Sequence, residues 1–469
     1  MAPPLETPTS QSPVDQATRH SLRSAVDDLG ARLVEVCVAD FSSNARGKTV
    51  SRDDFLDMGG CRLASVVLGL AITGANPENL YGMVLPESFR DVDLVPDPET
   101  LVPLIGRDHV ASVLAEPYGA LRAEKSGREF DANEISPRGA LRRVLEKLDQ
   151  KGLRATVAPE MEFYLVQRRP GGAAHELIAP TPDAHSPARE IACEPDSVER
   201  AGYFGEYFDD LFAACEKWRI PVTGYAHESA LSQYEVNFHH GEPLALADAV
   251  FRFKRLARMV AARHGYLASF LAKPYLNEPG AGTHWHFSLQ TAKGHNAFLE
   301  ETSERDSPEL VHFIAGLVAH APAATAIFAP YDISYDRLRH SDSSPTHANW
   351  GYDDRTSAFR VPNSSPANRR VENRLPGGDA SPYLTVATTL GLGLHGMDQR
   401  LQPSRLAAEL PGSLGSALDA LQGDEVLREV LGPHLVDLFC AVKRCETSLR
   451  NAVADPRNAW DLPVLTEQA

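Results

Sequence analysis

The stretch APEMEFYLV, residues 158–166, has the composition of a buried β-strand, yet it contains Glu160 and Glu162. Residues two apart on a strand share a face. Two carboxylates on one face repel each other unless a cation lies between them. An isolated Glu-x-Glu more often pairs with arginines or lies on a solvated edge, so the neighbouring segments must decide what this pair does.

Three further segments place acidic and imidazole groups in strand-like runs. HESALSQYEVNF contains Glu228 and Glu235, and NRRVENRLP contains Glu372. GAGTHWHFSL places His284 and His286 on one strand face, after a glycine-rich turn. Taken singly, such residues are usually surface glutamates or core histidines. Together, five carboxylates and an imidazole suit two hard divalent ions such as Mg²⁺ or Mn²⁺.

Arginines accompany these segments and allow two interpretations. They are spread through the segments YDRL, DDRTSAFRVP and NRRVENR, at Arg337, Arg355, Arg360, Arg370 and Arg374. Strand arginines commonly pair with acidic neighbours. In a metal site they could instead clamp phosphate or a substrate carboxylate with two parallel hydrogen bonds.

Composition narrows the function class. A chain of 469 residues predicts two domains, and its net charge of −17 argues against a nucleic-acid binder. Six cysteines without a Cys-x-x-Cys pair suggest neither a zinc ribbon nor a disulfide framework. The apolar run near ASVVLGLAI is taken as the longest and is too short to span a bilayer, so no membrane association is expected. Without a secretory signal pattern, the protein is expected in the cytoplasm.

The N-terminal part is predicted to be a small domain. Residues 1–22 are rich in Pro, Thr, Ser and Gln and are expected to be a disordered tail. A helix is expected at SLRSAVDDLGARL, a polar loop at SSNARGKTVSRDDF, and strands at VEVCVADF, DVDLVPDPETLVPLI and HVASVLAEP. Ser136 and Pro137 mark the start of a helix that Gly152 ends. The boundary is therefore placed near residue 134, giving domains at 23–134 and 135–469.

The second domain is predicted to mix helices and strands. Strand-like runs lie at 156–167, 222–239, 284–290 and 357–374, and helices at 202–218, 244–265 and 309–328. The C-terminal region is also expected to be helical.

Six segments resemble, in order and approximate spacing, the signature segments of glutamine synthetases: APEMEFYLV, HESALSQYEV, GAGTHWHFSL, SYDRL, DDRTSAFRVP and RRVENRLPGGDASPYL. The resemblance is strong from about residue 135 to 400. It implies an α+β fold, with a small β-grasp domain before a large catalytic domain built on a curved antiparallel sheet with helices. It also implies a homododecamer of two hexameric rings, in which each site takes a loop from a neighbouring small domain.

The resemblance implies roles residue by residue. One metal is held by Glu162, Glu228 and Glu235, and the other by Glu160, His284 and Glu372. Glutamate is held by Arg337, Arg374 and the backbone of Gly280. The nucleotide, ATP, is held by His286, Ser288, Arg355, Arg360 and Arg370. Arg337, Arg355 and Glu372 are expected to act in catalysis, in which glutamate attacks ATP to form γ-glutamyl phosphate and a nitrogen nucleophile then displaces phosphate.

The segments that match the family's ammonia-binding residues differ from those of ammonia-using members. RLASVVLGLAITG lacks the acidic residue of the family's Asp-Gly-Ser-Ser segment, and Pro279 replaces an asparagine. An ungapped count places Ser343, beside Asp342, where ammonia users have a flap glutamate. RGKTVSRDDF and LGLAITGANPE resemble the branch that joins glutamate to polyamines, ethanolamine, alkylamines or anilines. Three hypotheses remain: a γ-glutamyl-amine ligase with Ser343 near its substrate, an ordinary glutamine synthetase, or an inactive relative acting as a scaffold or regulator.

Overall fold

The computed structural model describes residues 15–77, 85, 89–123, 127–173, 176–181, 194–300, 303, 305–339, 344–404 and 406–469. The helices are α1 (Gln16–Asp28), α2 (Arg52–Met58), α3 (Pro137–Gln150), α4 (Val198–Ala201), α5 (Gly205–Lys217), α6 (Pro243–Arg263), α7 (Pro308–Phe328), α8 (Ser334–Arg339), α9 (Pro382–Asp398), α10 (Leu414–Gly423), α11 (Glu425–Leu431), α12 (Pro433–Asn451) and α13 (Thr466–Gln468).

The strands of the N-terminal part are β1 (Leu33–Ala39), β2 (Ala45–Ser51), β3 (Cys61–Ala64), β4 (Asp91–Pro96), β5 (Val102–Pro103), β6 (Val110–Tyr118), β7 (Ala120–Arg122) and β8 (Glu129–Asp131). Those of the larger part are β9 (Leu153–Arg168), β10 (Leu177–Ile178), β11 (Val222–His227), β12 (Gln233–Phe238), β13 (Leu267–Ser269), β14 (Thr283–Thr291), β15 (Trp350–Tyr352), β16 (Phe359–Val361) and β17 (Val371–Asn373).

The N-terminal sheet has the order β2-β1-β6-β4-β3, and β5 pairs with β6. Strands β1 and β6 are parallel, and the other pairs are antiparallel. The polar loop predicted for residues 42–55 is wrong in part, because β2 and the start of α2 lie there. Strand β2 is a mostly exposed edge strand, so it lacks the apolar alternation that marks a half-buried strand. Helix α2 begins after the cap Ser51 and ends at Gly59, whose φ of 69° suits glycine.

The predicted disordered tail at residues 1–22 is wrong in part, because helix α1 starts within it. The helix begins at Gln16, where the Asp15 side chain accepts a hydrogen bond from the Thr18 amide. Residues 16–22 are therefore helical, whereas residues 1–14 lie outside the described part of the chain. The polar composition misled the prediction, because this helix buries only one narrow face, through Leu22 and Val26.

The larger sheet has the order β11-β12-β9-β14-β17-β16-β15, with β10 and β13 also paired to β9. All pairs are antiparallel except β15 with β16. The predicted strands at 156–167 and 284–290 are confirmed by β9 and β14. The run at 222–239 is a hairpin, and the run at 357–374 is two three-residue strands joined by a loop. Pro362 and Pro366 explain that interruption, because proline cannot donate to a sheet ladder.

The expectation that ASVVLGLAI is the longest apolar run is wrong, because helix α7 is a longer apolar segment. It has 21 residues and is apolar enough, by length and composition, to span a membrane, but 72% of its most apolar window is buried inside the protein. It packs on α9, where Gly316 contacts the backbone around Gly396 so closely that a Cβ at either position would clash. Close helix packing of this kind needs glycine, so we assign α7 to the core.

The predicted helices at 202–218, 244–265 and 309–328 and in the C-terminal region are confirmed by α5, α6, α7 and α10 to α12. A small N-terminal sheet followed by a large antiparallel sheet with helices confirms the predicted α+β fold.

A buried arginine joins the two parts. Arg138 on α3 is 4% exposed and pairs with Glu116 of β6 at 2.6 Å. The same guanidinium lies 2.7 Å from Asp97, which follows β4, and 2.8 Å from Asp248 of α6. Because these partners belong to the N-terminal sheet and to the helical layer, one side chain connects both.

We expect Arg138→Met to destabilise the protein by about 3–5 kcal/mol, because the buried Asp248 loses its ion pair, whereas Asp97 and Glu116 keep Arg142. The check is the urea midpoint of unfolding. Arg62→Met is a matched control, since Arg62 pairs with Asp93 at 2.9 Å in an exposed setting, where such a pair contributes less than about 1 kcal/mol. Equal midpoints for the two variants would contradict the role given to Arg138.

Candidate functional site

Strand β9 carries the two glutamates of the opening stretch, and its neighbours place polar residues beside them. Glu235 of β12 lies opposite Glu162, and Asn237 lies opposite Glu160. On the other side, His284 of β14 lies opposite Glu160. Directly opposite residues in antiparallel strands have neighbouring side chains, so sheet register alone brings these groups together.

The row continues across the next two strands. Glu372 of β17 lies opposite His286 of β14, and Arg360 of β16 lies opposite Glu372. Glu372 is 1% exposed and accepts hydrogen bonds from Arg360 Nη1 at 2.9 Å and Arg374 Nη1 at 2.6 Å. The site therefore extends from β12 to β16.

One carboxylate group consists of Glu162, Glu228 and Glu235, each with an oxygen within 4.8 Å of the others. Glu228 follows β11, and Ser229 donates to it through both its amide and its hydroxyl. Burial and the neighbouring Glu228 raise the pKa of Glu162 to about 8. Burial and Glu160 raise the pKa of Glu235 to about 7. The raised pKa values show that ionising these carboxylates is costly without a cation, and their donor oxygens suit a hard divalent one.

A second group lies around Glu160. One oxygen of Glu160 is 2.9 Å from His286 Nε2, and these two residues form a compact triple with Glu372. His284 Nδ1 lies 3.7 Å from Glu160 and 3.8 Å from Glu372. His284 also forms a triple with Glu160 and Glu235, so it lies between the two groups.

The second group is balanced by cations and imidazoles. Burial alone would raise the pKa of Glu160, but the nearby imidazoles of His284 and His286 outweigh it and hold the pKa below its ordinary value. For Glu372, burial is likewise outweighed by His284, His286 and Arg374, which lower its pKa. The first group, in contrast, has no Arg or Lys ion pair within the described residues.

Two amide side chains that were not predicted position the carboxylates. Gln233 Nε2 donates to Glu162 at 3.0 Å and to the carbonyl of Gly280 at 3.0 Å. Asn237 Nδ2 donates to Glu235 at 2.9 Å. Gln233 and Asn237 each lie two residues from Glu235 on β12 and therefore share its face. That spacing was a signal from which the sequence could have predicted them.

The predicted glutamate-binding residues meet at one corner. Arg337 is buried and donates to the carbonyls of Leu375 at 2.9 Å and Arg374 at 3.1 Å. It lies against Gly280, where a Cβ would stand 2.6 Å from Arg337 Cγ, so that position requires glycine. Arg374 pairs with Glu372 and donates to the carbonyl of Arg355 at 3.0 Å. The roles of these residues toward glutamate stay predictions.

A cavity of about 560 Å³ lies beside Glu160, and three of the predicted nucleotide contacts, His286, Ser288 and Arg370, line it. Arg370 Nε lies 3.2 Å from His286 Nδ1.

Arg355 and Arg360, which were predicted to bind phosphate, do not line this cavity. Arg360 is engaged with Glu372 and with Asp353, at 2.6 Å from the latter. Arg355 has an exposed side chain, outside the cavity lining. Ser343 and Asp342 lie outside the described residues.

A family model for the catalytic domain of glutamine synthetase matches residues 134–459. The match covers more than half of the chain. The chain belongs to the glutamine synthetase family. Within that family it is 30% identical to gamma-glutamylputrescine synthetase of Escherichia coli, over 88% of each chain. It is 34% identical to a glutamine synthetase of Pyrococcus abyssi, over 78% of this chain and 80% of that one.

Solved structures agree with this family membership. The ligand-free chain called GmaS superposes with a TM-score of 0.76 at 28% identity, covering 92% of this chain and 96% of that one. The family fold thus extends over the N-terminal sheet as well as the large sheet.

We expect Glu235→Gln to weaken Mn²⁺ binding at least about tenfold, or ~1.4 kcal/mol, because Glu235 belongs to two of the three possible ligand groups. Electron paramagnetic resonance of free Mn²⁺ during titration measures this without any activity. The control is Glu309→Gln, which alters an exposed glutamate on α7. An unchanged Mn²⁺ affinity in Glu235→Gln would rule out the assignment.

Proposed function

We propose that this protein is an ATP-dependent ligase that joins the γ-carboxylate of glutamate to an organic amine. The observation that carries the proposal is a contrast within the chain. The acidic, histidine and arginine positions for ATP and glutamate are filled, whereas residues 62–74 contain no acidic residue and Ser343 stands at the flap position.

The relatives support the proposal by their names but do not separate the alternatives by identity. The gamma-glutamylputrescine synthetase matches over 88% of this chain at 30% identity. Glutamine synthetases match at similar or higher identity over smaller shares, as in Pyrococcus horikoshii with 33% over 84%. The nitrogen-binding residues must therefore decide, and they favour an organic amine.

The site residues fit two divalent cations of the Mg²⁺ or Mn²⁺ class. Glu162, Glu228 and Glu235 offer hard oxygen donors without an Arg or Lys pair within the described chain. Glu160 and Glu372, with His284 or His286 between them, offer a second set. When bound, such ions neutralise charge on the phosphates of ATP.

The remaining residues have roles that follow from their positions. The cavity beside Glu160 accommodates the nucleotide, with His286, Ser288 and Arg370 in its wall. A neighbour in the same family was solved as a complex of GmaS with ADP, at 27% identity and a TM-score of 0.76. We assign Arg337, Arg374 and Gly280 to glutamate, and the exposed Arg355 to the transferring phosphoryl group.

The chemistry of the nucleophile distinguishes the alternatives. Ammonia is mostly ammonium at neutral pH, so an ammonia site needs acidic groups to bind the cation and accept its proton. An organic amine gains about 0.8 kcal/mol per methylene that it buries, which ammonia cannot offer. Replacement of the two family carboxylates, at residues 62–74 and at Ser343, therefore favours the larger, more apolar nucleophile.

We expect at least one organic amine to exceed ammonia in kcat/KM by about tenfold or more, equivalent to ~1.4 kcal/mol. Phosphate release is measured with glutamate, ATP and ammonia, ethanolamine, isopropylamine, putrescine, spermine or aniline at equal concentrations. If ammonia is the best substrate, the protein is an ordinary glutamine synthetase. If no nucleophile supports phosphate release, the inactive-relative hypothesis stands.

Ser343→Glu restores a carboxylate at the proposed flap position and should shift the balance toward ammonia. The measured quantity is the ratio of the two kcat/KM values, which is insensitive to the fraction of active enzyme. A ratio equal to that of the wild type would remove Ser343 from the nitrogen site.

We expect Arg355→Lys to lower kcat at least about tenfold, because lysine keeps the charge but loses the two-pronged contact with a phosphoryl group. Mn²⁺ binding should be unchanged, since Arg355 contacts none of the candidate ligand atoms in hydrogen-bonding geometry. Arg444→Lys, on an exposed ion pair with Asp419, is the control. Wild-type kcat in Arg355→Lys would refute the role.

The proposal includes a cytoplasmic enzyme assembled as two hexameric rings, with each site completed by a neighbouring small domain. Light scattering measures the mass, and an active monomer at assay concentration would contradict the shared site.

A further inference from the structure

A second cavity lies between the N-terminal sheet and α6. Its volume is about 470 Å³, and it opens beside the turn between β1 and β2. The turn contributes Ser43 and Asn44, β2 contributes Arg46, and α6 contributes Arg255 and Arg258. The nucleotide cavity has none of these residues in its wall, so the two cavities are separate.

Four polar atoms of this cavity have no hydrogen-bond partner in the described part of the chain: Ser43 Oγ, Asn44 Nδ2, Arg46 Nη2 and Arg258 Nε. Three of them are obligate donors, and the serine hydroxyl can donate. Ser43 is only 5% exposed, and a buried polar group without a partner costs about 1–3 kcal/mol. Acceptor oxygens of a ligand would supply partners of the kind that these donors lack.

The charge around the cavity favours the same chemistry. Two cations there are already paired, Arg255 with Glu35 at 2.6 Å and Arg46 with Asp40 at 2.8 Å. Lys48 in the wall, and Arg258, have no ion pair with an Asp or Glu of the described chain.

Lys48 and Arg258 therefore bring positive charge to this cavity, without an ion pair to a described Asp or Glu, in a protein whose net charge is −17. Local positive charge in an acidic protein is typical of a site selected for anions.

We propose that this cavity binds a small oxyanion, either a carboxylate or a phosphate, between the β1–β2 turn and α6. The oxygens would accept from Asn44 Nδ2, Arg46 Nη2 and Arg258 Nε, with Ser43 Oγ as a further donor. Because the ligand would contact both the N-terminal sheet and α6, its binding should stabilise the folded state by linkage. This inference does not depend on which amine the enzyme uses.

The test uses the purified full-length protein at low salt and two probes, inorganic phosphate and succinate. The thermal midpoint is measured with and without each probe, and binding is measured by isothermal titration calorimetry. At probe concentrations well above the dissociation constant, we expect the midpoint to rise by about 1–3 °C. Phosphate and succinate separate the two oxyanion classes, and binding of either that the cavity variants below weaken supports the site.

Two variants remove the site in different ways. Asn44→Asp replaces a donor by a carboxylate at constant shape, and Arg46→Met removes a guanidinium. Each should weaken probe binding about tenfold or more. Arg62→Met is the control, because it removes an arginine paired with an aspartate at the opposite edge of the same sheet.

The wild type, the two cavity variants and the control all retain the arginines of the catalytic site. Any anion binding at the catalytic site is therefore the same in each of them. The difference between the wild type and the cavity variants isolates the cavity. If Asn44→Asp fails to fold, Arg46→Met carries the test. Equal probe binding in the wild type and both folded cavity variants, or no binding of either probe, would overturn the proposal and leave the cavity to water.

Discussion

The arrangement of the site depends on one electrostatic constraint, the placement of like charges directly opposite each other in a buried sheet. Glu162 and Glu235 are cross-strand neighbours on β9 and β12, and like charges in that position destabilise a sheet. The chain holds them there with donors to single oxygens: Gln233 and the Gly282 amide for Glu162, and Asn237 for Glu235. One oxygen of each glutamate lies within 4.8 Å of an oxygen of the other, a spacing that a divalent cation can bridge.

In the second group, around Glu160 and Glu372, side chains of the protein offset the buried negative charge. Glu372 is buried more completely than Glu162, but two guanidinium groups and the imidazoles around it stabilise its ionised form. The carboxylates around Glu372 are therefore neutralised by arginines and imidazoles of the protein. Those around Glu162 need a bound cation for the same purpose. That asymmetry is compatible with the proposed ligase, in which one ion would lie near glutamate and the other near the phosphates of ATP.

The N-terminal sheet is attached to the catalytic part through buried ion pairs rather than apolar contacts alone. Arg138 connects Asp97 and Glu116 with Asp248 on α6. The same helix carries Arg255 and Arg258, which line the proposed oxyanion cavity farther along. Charged groups at such a junction need partners because desolvation is costly, and a junction that leaves donors unpaired has capacity for a ligand.

The sequence by itself determined the elements whose signals are local. Alternation identified β9 and β14, caps identified α3, and the order of six segments identified the family. It failed at β2, where pairing through backbone atoms leaves no side-chain pattern, and at the 357–374 run, where prolines divide one strand into two. For the site, it supplied the carboxylates, but only the sheet register decided that Glu235 lies beside Glu162. Side-chain direction then brings His286 nearer to Glu160 than His284, although His284 is the residue directly opposite. Gln233, Arg138 and the donors around Ser43 were also decided by tertiary structure, because each takes its role from partners that are distant in sequence and become neighbours only on folding.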